Sequence, residues 1–216
     1  MVIPDVKLIT GRATRYLGEK IGDSYGQALT DVEVLQFSDG EFEPIIQESV
    51  RGSFVFCIQS TFSPADNLLE LLMLIDACKR ASAGYIIAVM PYFGLARQDR
   101  KDKPRVAIGA KLVADLLTAA GAQRVITMDL HAPQIQGFFN IPVDHLDATA
   151  VFLPYLQSLN LDNLCFASPD VGSTKRARSY AMLTNADLVI GDKHRTKANE
   201  VESMRLIGDV AGKNVV

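Results

Sequence analysis

A chain of 216 residues, 48% hydrophobic and 22% charged, is an ordinary globular protein with enough apolar material for one large or two small cores. A formal net charge of −3 argues against a surface built to hold nucleic acid, so any local basic site is better suited to a small anion. No apolar run reaches the length of a membrane span, and MVIPDVKLIT lacks the graded basic and apolar regions of a secretory signal; the chain reads as soluble and cytoplasmic, with neither nucleic acid nor membrane as partner.

Strand candidates recur along the chain: VKLIT (6–10), VEVLQF (32–37), SFVFCIQ (53–59), YIIAVM (85–90), RVITMDL (124–130), LCFAS (164–168), ADLVIG (186–191) and SMRLIG (203–208). Helical patterns fall between them, and the alternation predicts an α/β fold. The segment NLLELLMLIDACKRA (67–81) reads as a helix opened by Ser63, Pro64 and Asp66, with too many apolar residues for one stripe at 100° per residue; the surplus predicts a contact with another subunit or domain. IGAKLVADLLTAA (108–120) presents Ile108, Leu112, Val113, Leu116 and Leu117 and stops at Gly121. A fresh helix near residue 147, DATAVFLPYLQSL, is interrupted by Pro154, which puts a boundary between domains 1–146 and 147–216. The last five residues, GKNVV, read as the opening of one more strand, so the second domain is expected to be incomplete. Cys57, Cys78 and Cys165 sit in apolar segments without CxxC spacing and read as small core residues of a reducing compartment.

The chemistry gathers where strands end. After YIIAVM comes PYFGLARQDRKDKPR (91–105), with Arg97, Arg100, Lys101, Lys103 and Arg105 in one loop, either a solvated surface or a site awaiting an anion. FSDGEFEP (37–44) is first of all a good turn; alternatively Phe37 offers a face to a flat ring while Asp39 and Glu41 accept from an amine or a ribose hydroxyl. In MDLHAPQIQGFF (128–139), His131 follows a strand where open α/β sheets place ligands, although a structural His is an equal reading. SPDVGSTKRAR (168–178) sets Asp170 beside a turn and a helix N-terminus; an acid there suits Mg²⁺ bound mainly to phosphate oxygens. GDKHRTKANE (191–200) carries Lys193 and Arg195 two apart, on one side of an extended chain, as an anion clamp or as charges protecting an edge.

FSDGE, LARQDRKDK, DLHAPQIQGFF, SPDVG and DKHR occur in the order and spacing of the ribose-phosphate pyrophosphokinases, and the chain resembles that family over nearly its whole length. The resemblance implies two phosphoribosyltransferase-like (type I) α/β domains with mainly parallel central sheets flanked by helices. It implies transfer of diphosphate from MgATP to the C1 hydroxyl of ribose 5-phosphate, with Mg²⁺ as cofactor. Phe37, Asp39 and Glu41 would hold adenine and ribose from a neighbouring subunit, and Arg97, Gln98 and Asp99 would contact ATP. His131 and Asp170 would lie at the metal. Arg100, Lys101 and Lys103 would belong to a mobile catalytic loop, and Lys193 with Arg195 would stabilise the developing charge. A regulatory anion site is implied near Ser49, Arg51, Gln136, Asp144 and Arg178, with phosphate as activator and ADP as inhibitor, at subunit contacts of a hexamer.

Three departures stand beside the resemblance. His145 replaces an Asn common in the family, and Gly172-Ser173 lacks its second glycine, which Ser accommodates if the backbone angle stays negative. Family members also continue for about another domain's length, with an acidic Gly-Thr loop that holds ribose 5-phosphate; turnover here depends on that loop being dispensable or supplied. The rival readings are a non-catalytic regulatory relative, a phosphoribosyltransferase that consumes the product, and a nucleotide-binding module without chemistry.

Overall fold

The computed structural model describes residues 5–194 and 203–216. These divide into two compact units, Met1–Asp147 and Ala148–Val216.

The first unit is built on five parallel strands in the order β1 (Val6–Thr10), β4 (Phe54–Ile58), β5 (Tyr85–Met90), β6 (Arg124–Met128) and β7 (Val143–Leu146). Their registers pair Ile9 with Cys57, Cys57 with Ala88, and Val125 with Val143. The central strands are continuous apolar runs because helices leave neither face to water. Helices α1 (Arg15–Tyr25), α2 (Asp66–Arg80) and α3 (Gly109–Ala120) flank the sheet. The core is filled by Ile9, Val55, Met90 and Val125 from strands, Leu71, Leu74, Ile75 and Cys78 from α2, and Val113 and Leu117 from α3. Cys57, Cys78 and Cys165 are free and buried; the Sγ atoms of Cys57 and Cys78 lie 3.9 Å apart, and that contact together with burial pushes the Cys57 thiol well above its ordinary pKa.

Several local expectations need correcting. Ser63 does not cap α2: the N-cap is Ala65, with no side-chain bond, and the preceding turn is held instead by Asn67 donating to the Phe62 carbonyl at 2.9 Å. The inward stripe of α3 is Ala110, Val113, Ala114 and Leu117, spaced i, i+3, i+4, i+7, while Leu112 and Leu116 are exposed. The two alanines let the helix approach the sheet closely, which a count of large residues does not reveal. In α2, Leu69 and Met73 form the exposed remainder beyond the buried stripe. The segment after FSDGE, given no element in the sequence reading, is strand β3 (Phe42–Ile46), which pairs antiparallel with β2 (Val32–Gln36) as a separate two-stranded ribbon; Pro44 opposes Val34, a position tolerated where the strand has a free edge.

The second unit has a four-stranded sheet in the order β10 (Ser203–Ile207), β9 (Asp187–His194), β8 (Leu164–Ser168) and β11 (Asn214–Val215). Strand β8 is parallel to β9 and β11, and β10 is antiparallel to β9. Two helices accompany this sheet, α4 (Thr149–Ser158) and α5 (Thr174–Thr184), with the Tyr180 ring stacked on Phe166 at 5.6 Å. Helix α4 runs through Pro154 rather than ending there. Among the described residues no helix is long and apolar enough to cross a membrane.

Candidate active site

The carboxyl ends of β5 and β6 carry the site. Leaving Met90, the chain crosses the sheet edge and returns as α3, and residues 91–108 between them are the basic loop. Its first half is fixed to the neighbouring strand end. The Gly94 N–H donates to Thr61 Oγ1 at 2.8 Å, and a Cβ on Gly94 would collide with the Thr61 carbonyl, so only glycine permits this approach. Its second half is tied to the helix start, where the Ala110 N–H donates to the Gln98 carbonyl at 3.1 Å.

Between these anchors lies a cleft of about 710 Å³. Arg97, Gln98, Asp99 and Arg100 line it from the loop, with Asp102, Val106 and Ala107 beyond, and His131 comes from the end of β6. Sequence reasoning singled out the first four and His131 but not Asp102, Val106 or Ala107, which were hidden in an apparently generic polar run. Lys101 and Lys103 are exposed on the same loop without lining the cleft. Among the described residues, none of Arg97, Arg100, Lys101, Lys103 or Arg105 makes a side-chain hydrogen bond or ion pair, although Asp99 and Asp102 stand between them in sequence.

The other candidates fall elsewhere. Phe37, Asp39 and Glu41 form the exposed tip joining β2 to β3: the Phe37 N–H donates to the Glu41 carbonyl at 2.8 Å and the Glu41 N–H to Asp39 Oδ1 at 3.1 Å. Asp39 therefore shapes its own turn. In the second unit, Asp170 Oδ1 accepts from the Ser173 N–H and from Ser173 Oγ, both at 2.9 Å, capping the turn that leads into α5. Ser173 has φ −86°, the negative angle that lets it replace glycine, and its hydroxyl adds a bond glycine could not make. Lys193 lies in β9, in register with Met204; Arg195 lies outside the described residues.

The residues assigned to the regulatory anion site lie on different elements. Arg51 bridges to Ala83 at the amino ends of β4 and β5, with Ser49 exposed nearby in sequence, whereas Gln136 follows the carboxyl end of β6. Asp144 on β7 accepts from Arg124 through both oxygens, at 2.8 and 2.7 Å, and this bond with the Tyr85 contact raises the Arg124 pKa. Arg178 is exposed on α5 in the second unit. Among the described residues no group of three His, Cys, Asp or Glu gathers as a metal cage.

An open parallel sheet with a polar cleft at the carboxyl ends of its strands, lined by Arg97 and Arg100 as well as Asp99 and Asp102, defines an α/β protein of the kind that places ligands at strand ends. Residues 6–121 match the model of the N-terminal domain of ribose phosphate pyrophosphokinase. The chain is 58% identical over 210 residues to the ribose-phosphate pyrophosphokinase of Porphyromonas gingivalis, covering 97% of this chain and 67% of that protein. It is 57% identical to that of Chlorobaculum tepidum, covering 98% and 66%. Its fold superimposes on the crystal structure of phosphoribosylpyrophosphate synthetase from Mycobacterium smegmatis with a TM-score of 0.89 at 39% identity, over 98% of this chain and 70% of that one. The chain belongs to the ribose-phosphate pyrophosphokinase family and spans about two thirds of the length of these relatives.

Proposed function

We propose that the chain binds MgATP at the β5–β6 strand ends and takes part in transfer of its diphosphate to the C1 hydroxyl of ribose 5-phosphate, a step in nucleotide biosynthesis. The observation that carries this reading is the loop beside the cleft, where Arg97, Arg100, Lys101, Lys103 and Arg105 outnumber Asp99 and Asp102 and, among the described residues, none of the five is held in an ion pair: a folded protein holds like charges together most easily where an anion is to bind. In the reaction, the C1 oxygen attacks the β-phosphorus of ATP, the bond from that phosphorus to the α–β bridging oxygen breaks, AMP departs with that oxygen, and the hydroxyl proton passes to solvent. Little covalent help from the protein is needed, so positioning and charge stabilisation dominate.

Arg97, Gln98 and Asp99 contact the nucleotide in this reading. Arg100, Lys101 and Lys103 close over the polyphosphate, Lys193 and Arg195 meet the charge developing on the transferred group, and Phe37, Asp39 and Glu41 receive adenine and ribose belonging to a neighbouring subunit's site. His131 and Asp170 are the residues assigned to Mg²⁺, an imidazole and a carboxylate suited to a cation that would arrive on the phosphates and keep most of its waters. Bound there, the cation would neutralise phosphate charge. Ser49, Arg51, Gln136, Asp144 and Arg178 are assigned to a regulatory anion site that takes phosphate as activator and ADP as inhibitor. In this reading the site lies at subunit contacts of a homo-oligomer, proposed here to be a hexamer. The two phosphoribosyltransferase-like domains are assigned to 1–146 and 147–216, and the protein acts in the cytoplasm.

The test is chromatographic detection of AMP from the chain mixed with ATP, Mg²⁺, phosphate and ribose 5-phosphate, alongside calorimetric titration with MgATP. AMP that depends on ribose 5-phosphate is the expected product if the chain turns over unaided. MgATP binding without AMP would assign this chain the nucleotide half of the reaction only, and absence of both would overturn the proposal.

A further inference from the structure

We propose that His145 is a positioning residue for the segment Asp129–His131, and through it for the phosphate cleft; the inference rests on the function proposed above. Strand β6 ends at Met128, and the chain then turns through Asp129, whose φ of 45° is the left-handed conformation that few non-glycine residues adopt. Two bonds to β7 hold this turn. The Asp129 N–H donates to the Leu146 carbonyl at 3.0 Å, the last rung of the β6–β7 pairing. The next donor, the Leu130 N–H, goes instead to a side chain, His145 Nε2, at 3.0 Å. Leu130 is buried among the core residues, where an N–H without an acceptor is costly, so an acceptor at position 145 is part of how the turn is made.

The direction of that backbone hydrogen decides the state of the ring. A nitrogen that accepts carries no proton, so neutral His145 keeps its proton on Nδ1. The Gln136 amide nitrogen lies 3.4 Å from Nδ1 and itself donates to the Pro133 carbonyl at 2.9 Å; with the ring proton on Nδ1 both groups are donors, so this contact adds no hydrogen bond and Nε2 is left to Leu130. The register pairs His145 with Thr127, one rung before Met128–Leu146 at the end of the β6–β7 pairing. The residue after Leu130 is His131, exposed at the cleft with Arg97 and Arg100, so the His145 bond fixes the Asp129–Leu130 peptide, one residue before His131.

The test compares three chains by amide hydrogen exchange at Leu130 and by MgATP titration. His145→Phe keeps a ring without an acceptor, and His145→Gln places an amide oxygen near the Nε2 position. Leu130 exchange is expected to quicken about tenfold in His145→Phe, and MgATP affinity to fall by a similar factor, the size of one net hydrogen bond. His145→Gln is expected to restore both. Unchanged protection at Ala88 in β5 reports that the fold is intact, and His145→Leu replaces the Phe variant should that one not fold. Unchanged Leu130 exchange in the acceptor-free variants would overturn the bond. Faster exchange with wild-type affinity, or a Gln variant that restores neither quantity, would overturn the positioning role alone. A wild-type chain that binds no MgATP would overturn the functional reading and this inference together.

Discussion

Two sets of cations in the first unit behave in opposite ways. Arg12 has its backbone N–H and its Nε on Glu70, a carboxylate only 2% exposed that also accepts from Gln59, and its guanidinium lies over the Phe42 ring at 4.8 Å. Arg124 likewise holds Asp144. These arginines tie elements together, Arg12 joining the turn after β1 to α2 and β3, and Arg124 joining β6 to β7. The loop cations Arg97 to Arg105 tie nothing among the described residues, although two carboxylates lie within the same run. The fold spends partners on cations that hold it together and withholds them from cations placed beside the cleft.

If that division is functional, the two sets must fail differently. Replacing Arg100, Lys101 or Lys103 with Ala is expected to lower the rate of AMP formation by about 10²–10³-fold for a residue that meets transition-state charge, while urea unfolding stays within about 0.5 kcal/mol of wild type. A variant that loses stability as well would erase the distinction. If the chain does not turn over unaided, the same variants are read by MgATP titration, where weaker binding is expected.

Arg12→Ala should do the reverse. Glu70 retains the residue-12 N–H and the Gln59 amide but loses the guanidinium, at an expected cost of about 1–3 kcal/mol in urea unfolding. Arg124→Ala, at a half-exposed pair, is expected to cost no more than about 1 kcal/mol. Equal losses from the two would show that the burial of Glu70 contributes little.

The contrast also shows what a sequence can reveal. Buried parallel strands are apolar without interruption, so β1, β4, β5 and β6 and the charges at their ends were legible, and with them the side of the sheet on which Arg97, Arg100 and His131 stand. Strand β3 was hidden because Glu43 and Pro44 disguise a ribbon strand, and β7 because VDHL is short and polar. The inward face of α3 was misread because Leu112 and Leu116 are as apolar as Val113 and Leu117, and only packing against the sheet selects Ala110 and Ala114 as the contact. Bonds such as Leu130 N–H to His145 and Ser173 to Asp170 depend on register and turn angle, which no residue type announces.

The smallest expected effect concerns a surface pair, and it sets the lower end of the scale. Lys7 Nζ lies 2.8 Å from Glu48, and the bond lowers the Glu48 pKa from its ordinary 4.5 and raises that of Lys7 from 10.5. A carboxylate whose folded pKa is depressed stabilises the fold above its unfolded value and loses that contribution as pH falls through the folded one. A lysine whose folded pKa is raised stabilises below its unfolded value and loses the contribution as pH rises through the folded one. The stability difference between wild type and Lys7→Met in urea is therefore expected to be small and flat from about pH 6 to 9, then to shrink below pH 4.5 as Glu48 takes up its proton. A difference that persisted unchanged into acid would show that the lysine stem, packed along the edge of β1, contributes through contact rather than charge.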